Sequence, residues 1–189
     1  MAGYDIRLFG DPVLRQRAAE IVDVDAKLVK LAADMIQTMY NAPGLGLAAP
    51  QVGVQKRLFV YDLNDESGAH VVVNPVIRES RGEWSYEEGC LSVPGLSWEI
   101  LRPKEIHLVG FDLDGNDVSI EADELLARLY QHELDHLDGT LLIDHLGEDQ
   151  RKEAMKALRE RILAPQKPAP RAEPALPKKH RGLSLPGLS

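Results

Sequence analysis

His132 and His136 stand four residues apart in "YQHELDHLDG" (Tyr130 to Gly139), and Glu133 directly follows the first of them. On a helix an i, i+4 pair stacks on one face, so both imidazoles can reach one ion. Glu133 is rotated by about 100° and can reach a metal-bound water without being a ligand. This is the H-E-x-x-H pattern, two metal ligands with a general base between them. A chain with 6 histidines matches it by chance in about one random sequence per 70, so the motif needs support from elsewhere. Some support lies in the same helix. Leu125 and Leu129 extend the stripe that the histidines continue. The rings therefore face inward, where an unpaired imidazole is costly and a metal would satisfy both. Asp135 and Asp138 suit capping or supporting roles.

Two histidines do not complete a site, because catalytic zinc-type centres carry three protein ligands and one open position. Cys90, in "YEEGCLSVPG", is the best candidate for the third. It is the only thiol, and a thiolate bonds a divalent cation strongly. Its neighbours are two carboxylates, a glycine and a serine, which is not the composition of an apolar core strand. Gly89 lets the backbone approach closely. Glu148 or Asp144 could in principle supply a carboxylate ligand instead, which would suit an endopeptidase of the H-E-x-x-H type. His70, His107 and His145 are expected at the surface. Thiolate plus two imidazoles suits zinc by ligand softness.

The elements that must bring these groups together can be outlined. "DAKLVKLAADMIQTMYNAPG" has apolar residues at helical spacing, Asp25 as N-cap and Pro43-Gly44 as a stop. "GLGLAAPQVGV" is an ordered turn leading into a strand, "KRLFVYDL". A second strand, "HVVVNPVI", is interrupted at Asn74-Pro75. "WEILRPKEIHLVGFDLDGNDVSIEA" alternates, with Asp114-Gly115 as a hairpin turn. The histidine helix starts after Asp123 as N-cap and ends at Gly139. "EDQRKEAMKALRERIL" is a third, surface-lying helix.

Composition narrows the class. The chain has 189 residues and 44% hydrophobic content, enough for one cored domain over 1–164. Its net charge of −8 argues against a general nucleic-acid binder, and no specific nucleic-acid sequence is expected as a partner. No apolar run is long enough for a transmembrane helix, and the N-terminal residues do not resemble a signal peptide. One cysteine excludes an internal disulfide and fits a reducing cytoplasm. Residues 165–189 differ from the rest, with six of the 12 prolines and a balance of +4, so that 1–164 carry −12. This reads as a flexible tail, whose basic charge suits the anionic surface of a ribosome. Its end, "GLSLPGLS", echoes "CLSVPGLS" at Cys90–Ser97, too short a match to define a structural repeat.

Three motifs now stand together: "GLGLAAPQ" (Gly44–Gln51), "EGCLS" (Glu88–Ser92) and "QHELDH" (Gln131–His136). In this order they resemble the peptide deformylase family, over roughly residues 5 to 163. The resemblance implies an α+β fold, with mixed or antiparallel sheets around a central helix carrying the H-E-x-x-H motif. It implies removal of the N-formyl group from the N-terminal formylmethionine of nascent polypeptides, releasing formate. It implies Cys90, His132 and His136 as metal ligands, Glu133 as acid/base, and Gln51 with the backbone N–H of Leu91 facing the oxyanion. The family's metal is ferrous iron, with Zn2+, Ni2+ or Co2+ as substitutes. Formamide hydrolysis needs these parts: an activated water, oxyanion donors and a proton carrier for the leaving amine.

A methionine side chain wants an apolar pocket, for which Leu45, Tyr86, Leu125 and Leu129 are the expected walls and Arg128 the rim. Gly44 and Gly46 let the backbone pass close to an extended peptide, which can add to that edge as a strand. Glu88 and Arg102 are expected to pair and brace the cysteine loop. Ser97 or Trp98 falls where some members of the family carry an arginine soon after the motif's proline.

Overall fold

The computed structural model describes residues 3–163. The chain forms an α+β fold, with seven strands and three α-helices among the described residues. Helix α1 spans Ala26–Asn41, and Asp25 caps it by accepting a hydrogen bond from the Leu28 amide at 2.8 Å. Strands β1 (Gly46–Ala48), β2 (Leu58–Tyr61), β3 (His70–Arg81), β6 (Glu105–Phe111) and β7 (Asp117–Asp123) build one antiparallel sheet in the order β1-β2-β3-β6-β7. Strands β4 (Trp84–Cys90) and β5 (Val93–Arg102) form a separate antiparallel hairpin. Helix α2 (Glu124–Asp138) follows β7 directly, and α3 (Glu148–Leu163) comes last.

All four residues of β2 are buried, because the sheet is covered on both faces there. Phe59 and Tyr61 share one core with Ala127, Leu129, Tyr130 and Leu137 of α2. Leu58 and Val60, alternating with them, share another with Leu28, Leu31, Met35 and Met39 of α1. The sheet is thus sandwiched between α1 and α2. Tyr130 is fully buried, donates to the Tyr61 hydroxyl at 2.6 Å and meets its ring edge-on. A third core lies under the hairpin, where Val93 and Ile100 join Leu14, Leu142, Ile143, Ala154 and Leu158. Ala154 and Leu158 are buried, so α3 is surface-lying but anchored on one face.

The structure corrects some sequence-based expectations and adds to others. The strand through "HVVVNPVI" is not broken at Asn74-Pro75. β3 runs through them with a register shift between Val73 and Val76. Asn74 takes a left-handed φ of 49° and its side chain pairs with both backbone groups of Ile21, which holds the irregularity in place. The segment Trp84–Cys90 is a strand despite its acidic composition, since most of its side chains face away from the core. Asp123 precedes α2 in extended backbone but makes no side-chain cap hydrogen bond among the described residues. No helix among the described residues is long and apolar enough to cross a membrane. The tail expected at 165–189 lies outside the described residues.

Gly139 ends α2 at φ 74°, and a Cβ there would lie 2.8 Å from the Arg15 carbonyl. Gly115, in the β6–β7 turn, has φ 82° but open space around it. Gly115→Ala should therefore cost about 1–2 kcal/mol, the left-handed strain alone. Gly139→Ala should cost about 2–4 kcal/mol, because the backbone clash adds to that strain. Chemical unfolding of the two variants measures the difference, and equal losses would refute the clash.

Candidate metal centre and cleft

The site forms where the end of β4 meets the middle of α2. His132 and His136 lie one turn apart on α2, ring centroids 5.0 Å from each other. Cys90 ends β4, and its Sγ lies 3.2 Å from His136 Nε2. One potential ligand atom from each of Cys90, His132 and His136 lies within 4.8 Å of the others. A soft thiol and two imidazoles so close together suit one divalent cation of the zinc or ferrous type. Burial alone would raise the Cys90 thiol, but His136 and His132 more than offset it and hold the thiol well below its ordinary value. That favours the thiolate, the form that binds metal.

Glu88 orients this cluster. It lies two residues before Cys90 and is 6% exposed. Arg102 donates to it twice, Nε to Oε1 at 2.6 Å and Nη2 to Oε2 at 3.0 Å. Arg128 donates to the same carboxylate. His132 Nδ1 lies 3.0 Å from Oε2. A carboxylate can only accept, so Nδ1 carries the proton and Nε2 is left for the thiol side. Burial opposes ionisation of Glu88, yet His132 and Arg102 pull its carboxyl down to about 2. Arg102 also pairs with Asp135 at 2.9 Å, and Asp135 with His145 at 2.7 Å.

Glu133 is buried, and its Oε2 has no hydrogen-bond partner among the described residues. Burial pushes its carboxyl up, to about 7, against the pull of His132 and His136 and with some help from Cys90 and Asp135. Such a group can both take and give a proton near neutrality. Gln51 is buried with its amide orientation set: Oε1 accepts from the Ala48 amide at 2.8 Å, and Nε2 donates to Ser92 Oγ at 3.2 Å. The same Nε2 lies 3.7 Å from Cys90 Sγ, so the amide donor points to the thiol side.

These groups open onto a cavity of about 800 Å3. Every site residue named from the sequence lines it, including Gly44, Leu45, Gly46, Tyr86, Gly89, Leu91, Leu125 and Leu129, except His136, which is buried beside Cys90. Some expected roles change. Arg128 lines the cavity but is 3% exposed and not a rim. Its two Nη groups are spent on Glu88, the Trp84 carbonyl at 2.5 Å and the Ile100 carbonyl at 3.1 Å, with the Trp84 ring over the guanidinium, while Nε has no partner among the described residues. Glu88 spends its oxygens on protein cations, and its expected pairing with Arg102 is present. Gly46 makes room for Glu133, since a Cβ there would lie 2.3 Å from Glu133 Oε1. Gly44 gives room to Leu91. At Gly89 a Cβ would meet only Leu96 O, at 3.8 Å among the described residues, so packing does not demand glycine there. Pro43, Glu87 and the Pro94–Leu96 segment also line the cavity. Sequence reasoning missed them, although the Pro94-Gly95 dipeptide is a turn signal.

Comparison with known proteins agrees with this geometry. The sequence profile of the polypeptide deformylase family matches residues 4–152. A peptide deformylase of Acidothermus cellulolyticus is 51% identical over 160 residues, 85% of this chain and 88% of that protein. Peptide deformylase 1 of Corynebacterium glutamicum is 48% identical over 163 residues, 84% of this chain and 96% of that one. A crystal structure of the Legionella pneumophila peptide deformylase superposes with a TM-score of 0.80 at 40% identity, covering 87% of this chain and 100% of that one. That of Synechococcus elongatus, in complex with actinonin, has a TM-score of 0.79 at 39% identity, covering 85% and 89%. The chain belongs to the peptide deformylase family, metal-dependent hydrolases that remove the formyl group from the N-terminal methionine of newly made polypeptides.

Gly46→Ala tests the fit around Glu133. The variant should fold, as judged by circular dichroism, because the clash is with a side chain. Deformylation should fall about tenfold or more, since the displaced carboxylate lies beside the thiol and imidazole cluster, where alignment matters. Unchanged kcat/KM would show that Glu133 tolerates another position.

Proposed function

We propose that Cys90, His132 and His136 hold one divalent metal ion, and that Glu133, Gln51 and the backbone N–H of Leu91 carry the hydrolysis of the formyl group. The observation that carries this reading is the convergence of three ligand atoms, from two separate elements, within 4.8 Å of one another. When bound, the ion lowers the pKa of water and polarises the formyl carbonyl. Glu133 takes the proton of the attacking water and returns it to the departing amine, so formate leaves and the methionine amine is freed. Gln51 Nε2 and the Leu91 amide donate to the oxygen on which negative charge develops. Glu88 keeps His132 in the tautomer that leaves Nε2 available.

Leu45, Tyr86, Leu125 and Leu129 receive the methionine side chain, supported by their place on the cavity wall. Gly44 and Gly46 present backbone to the extended peptide, and Gly89 does so from the other side. Ferrous iron is the ion we propose in the cell, with Zn2+, Ni2+ and Co2+ suited to the same donors. The substrate sets the place of work, which is the cytoplasm, where formylated chains emerge. The +4 balance of residues 165–189 favours the anionic ribosome surface there.

Formate release from a formyl-Met-Ala-Ser peptide, measured alongside metal content, tests the assignment. Glu133→Ala should retain metal while kcat falls by about 100-fold or more. Cys90→Ala should lose both metal and activity. A fully metallated wild type that releases no formate, or an active Cys90→Ala, would sink it. Separately, a chain ending at residue 164 should cosediment less with ribosomes in low salt, and undiminished cosedimentation would remove the tail from the account.

A further inference from the structure

Strands β4 and β5 pair from Trp84↔Arg102 to Gly89↔Ser97, and Cys90 then pairs with Val93. Between those last two pairs Pro94, Gly95 and Leu96 have no counterpart on β4, so three residues bulge from the ladder. The bulge and Ser97 line the cavity just beyond the thiol. Out of the ladder, its carbonyls need other donors. Arg161, in the last turn of α3, supplies them: Nη1 donates to the Pro94 carbonyl, and Nη2 to the Gly95 carbonyl at 3.0 Å. Gly95 has φ 71°, and a Cβ there would lie 2.6 Å from Arg161 Nη1. The glycine therefore serves two needs, a left-handed turn and space for a guanidinium. Leu96 adds a second tie, packing against the core that contains Ala154 and Leu158 of α3.

We propose that Arg161 is a positioning residue that fixes the Pro94–Leu96 bulge as a wall of the cleft and so sets affinity for the substrate residues that follow the formylmethionine. The inference rests on the deformylase reading above. Its logic is spatial. Tyr86, Leu125 and Leu129 form the apolar side of the cavity, and the bulge is a stretch of exposed backbone elsewhere on its wall. A cavity of about 800 Å3 is large for one amino-acid residue and falls within the range of drug-sized ligands. Backbone held at a fixed place can pair with an extended peptide; backbone that wanders must first be ordered, which weakens binding. Arg161 touches neither the thiol nor either imidazole. Its loss should therefore act on KM for longer substrates and leave the chemical step intact.

The experiment compares formyl-Met amide with formyl-Met-Ala-Ser on the metallated full-length chain. Arg161→Ala should raise KM for the tripeptide by about three- to tenfold, the scale of one or two exposed charge-assisted hydrogen bonds, with kcat unchanged. KM for formyl-Met amide should stay within about twofold. Arg161→Lys should recover part of the loss, because a point charge serves one carbonyl where the planar fork serves two. Gly95→Ala should reproduce the tripeptide effect, and the double variant should add nothing, since both changes remove one contact. Hydrogen exchange over residues 93–97 should quicken in Arg161→Ala. An unchanged tripeptide KM, an equal rise on both substrates, or a fall in kcat would each overturn the proposal. A wild type inactive on formyl-Met amide would instead overturn the deformylase reading itself.

Discussion

One carboxylate organises this molecule. Glu88 sits on β4, inside the protein, and is held by Arg102 of β5, Arg128 of α2 and His132 of α2. Burying an ion is expensive unless its partners are near and its lone pairs are used. Here both oxygens are used, and the fixed charges of Glu88 and Asp135 balance those of Arg102 and Arg128. The arrangement penalises any state in which the hairpin leaves α2, since that would part Glu88 from Arg128 and His132 and part Arg102 from Asp135. It is therefore a lock between the two elements that carry the thiol and the imidazoles. The thiol and the rings are far apart in sequence, and nothing local would bring them together.

Glu133 follows the opposite logic. Glu88 is buried with cations around it and stays ionised far below neutrality; Glu133 is buried with fewer partners and is pushed to about 7. Two carboxylates that line the same cavity are thus given opposite ionisation behaviour by their surroundings. Gly46 is part of that environment, because β1 passes so close to Glu133 that a methyl group would collide with the carboxylate. β1 is placed in turn by β2, which is buried on both faces between α1 and α2.

What could be read from the sequence follows from how local each cause is. The cap of α1, the glycine stop of α2 and the turn at Asp114-Gly115 are decided within a few residues and were legible, whereas Asp123 precedes α2 without capping it through its side chain. The i, i+4 histidines could be placed on one face for the same reason. Strand β4 was not legible, because it gains its pairing from β5 and its charge balance from α2. The path of β3 through Asn74-Pro75 depends on Ile21, more than 50 residues earlier. The place of Arg128 was misread, and the closeness of Gly46 to Glu133 was missed, for a related reason. An arginine near a site suggests solvent and a glycine suggests only room for a ligand, whereas here Arg128 pairs with the buried Glu88 and Gly46 also makes room for Glu133.

The two ends of the described chain also act on the cleft. Near the start, the Arg7 amide donates to the Gln51 carbonyl at 2.7 Å and the Phe9 amide to the Ser92 carbonyl at 2.8 Å. One short extended segment thereby spans the turn that carries Gln51 and the loop that follows the thiol. Near the end, Arg161 holds the carbonyls of Pro94 and Gly95. The motif loops cannot satisfy these carbonyls themselves, since they lack regular pairing there. Buried or cleft-side carbonyls without donors would favour other loop conformations. Supplying donors from segments with no catalytic group fixes the loops without crowding the cavity. The reacting groups are thus held by backbone contacts outside the three motifs, which explains why a site so compact in space requires most of the chain to build it.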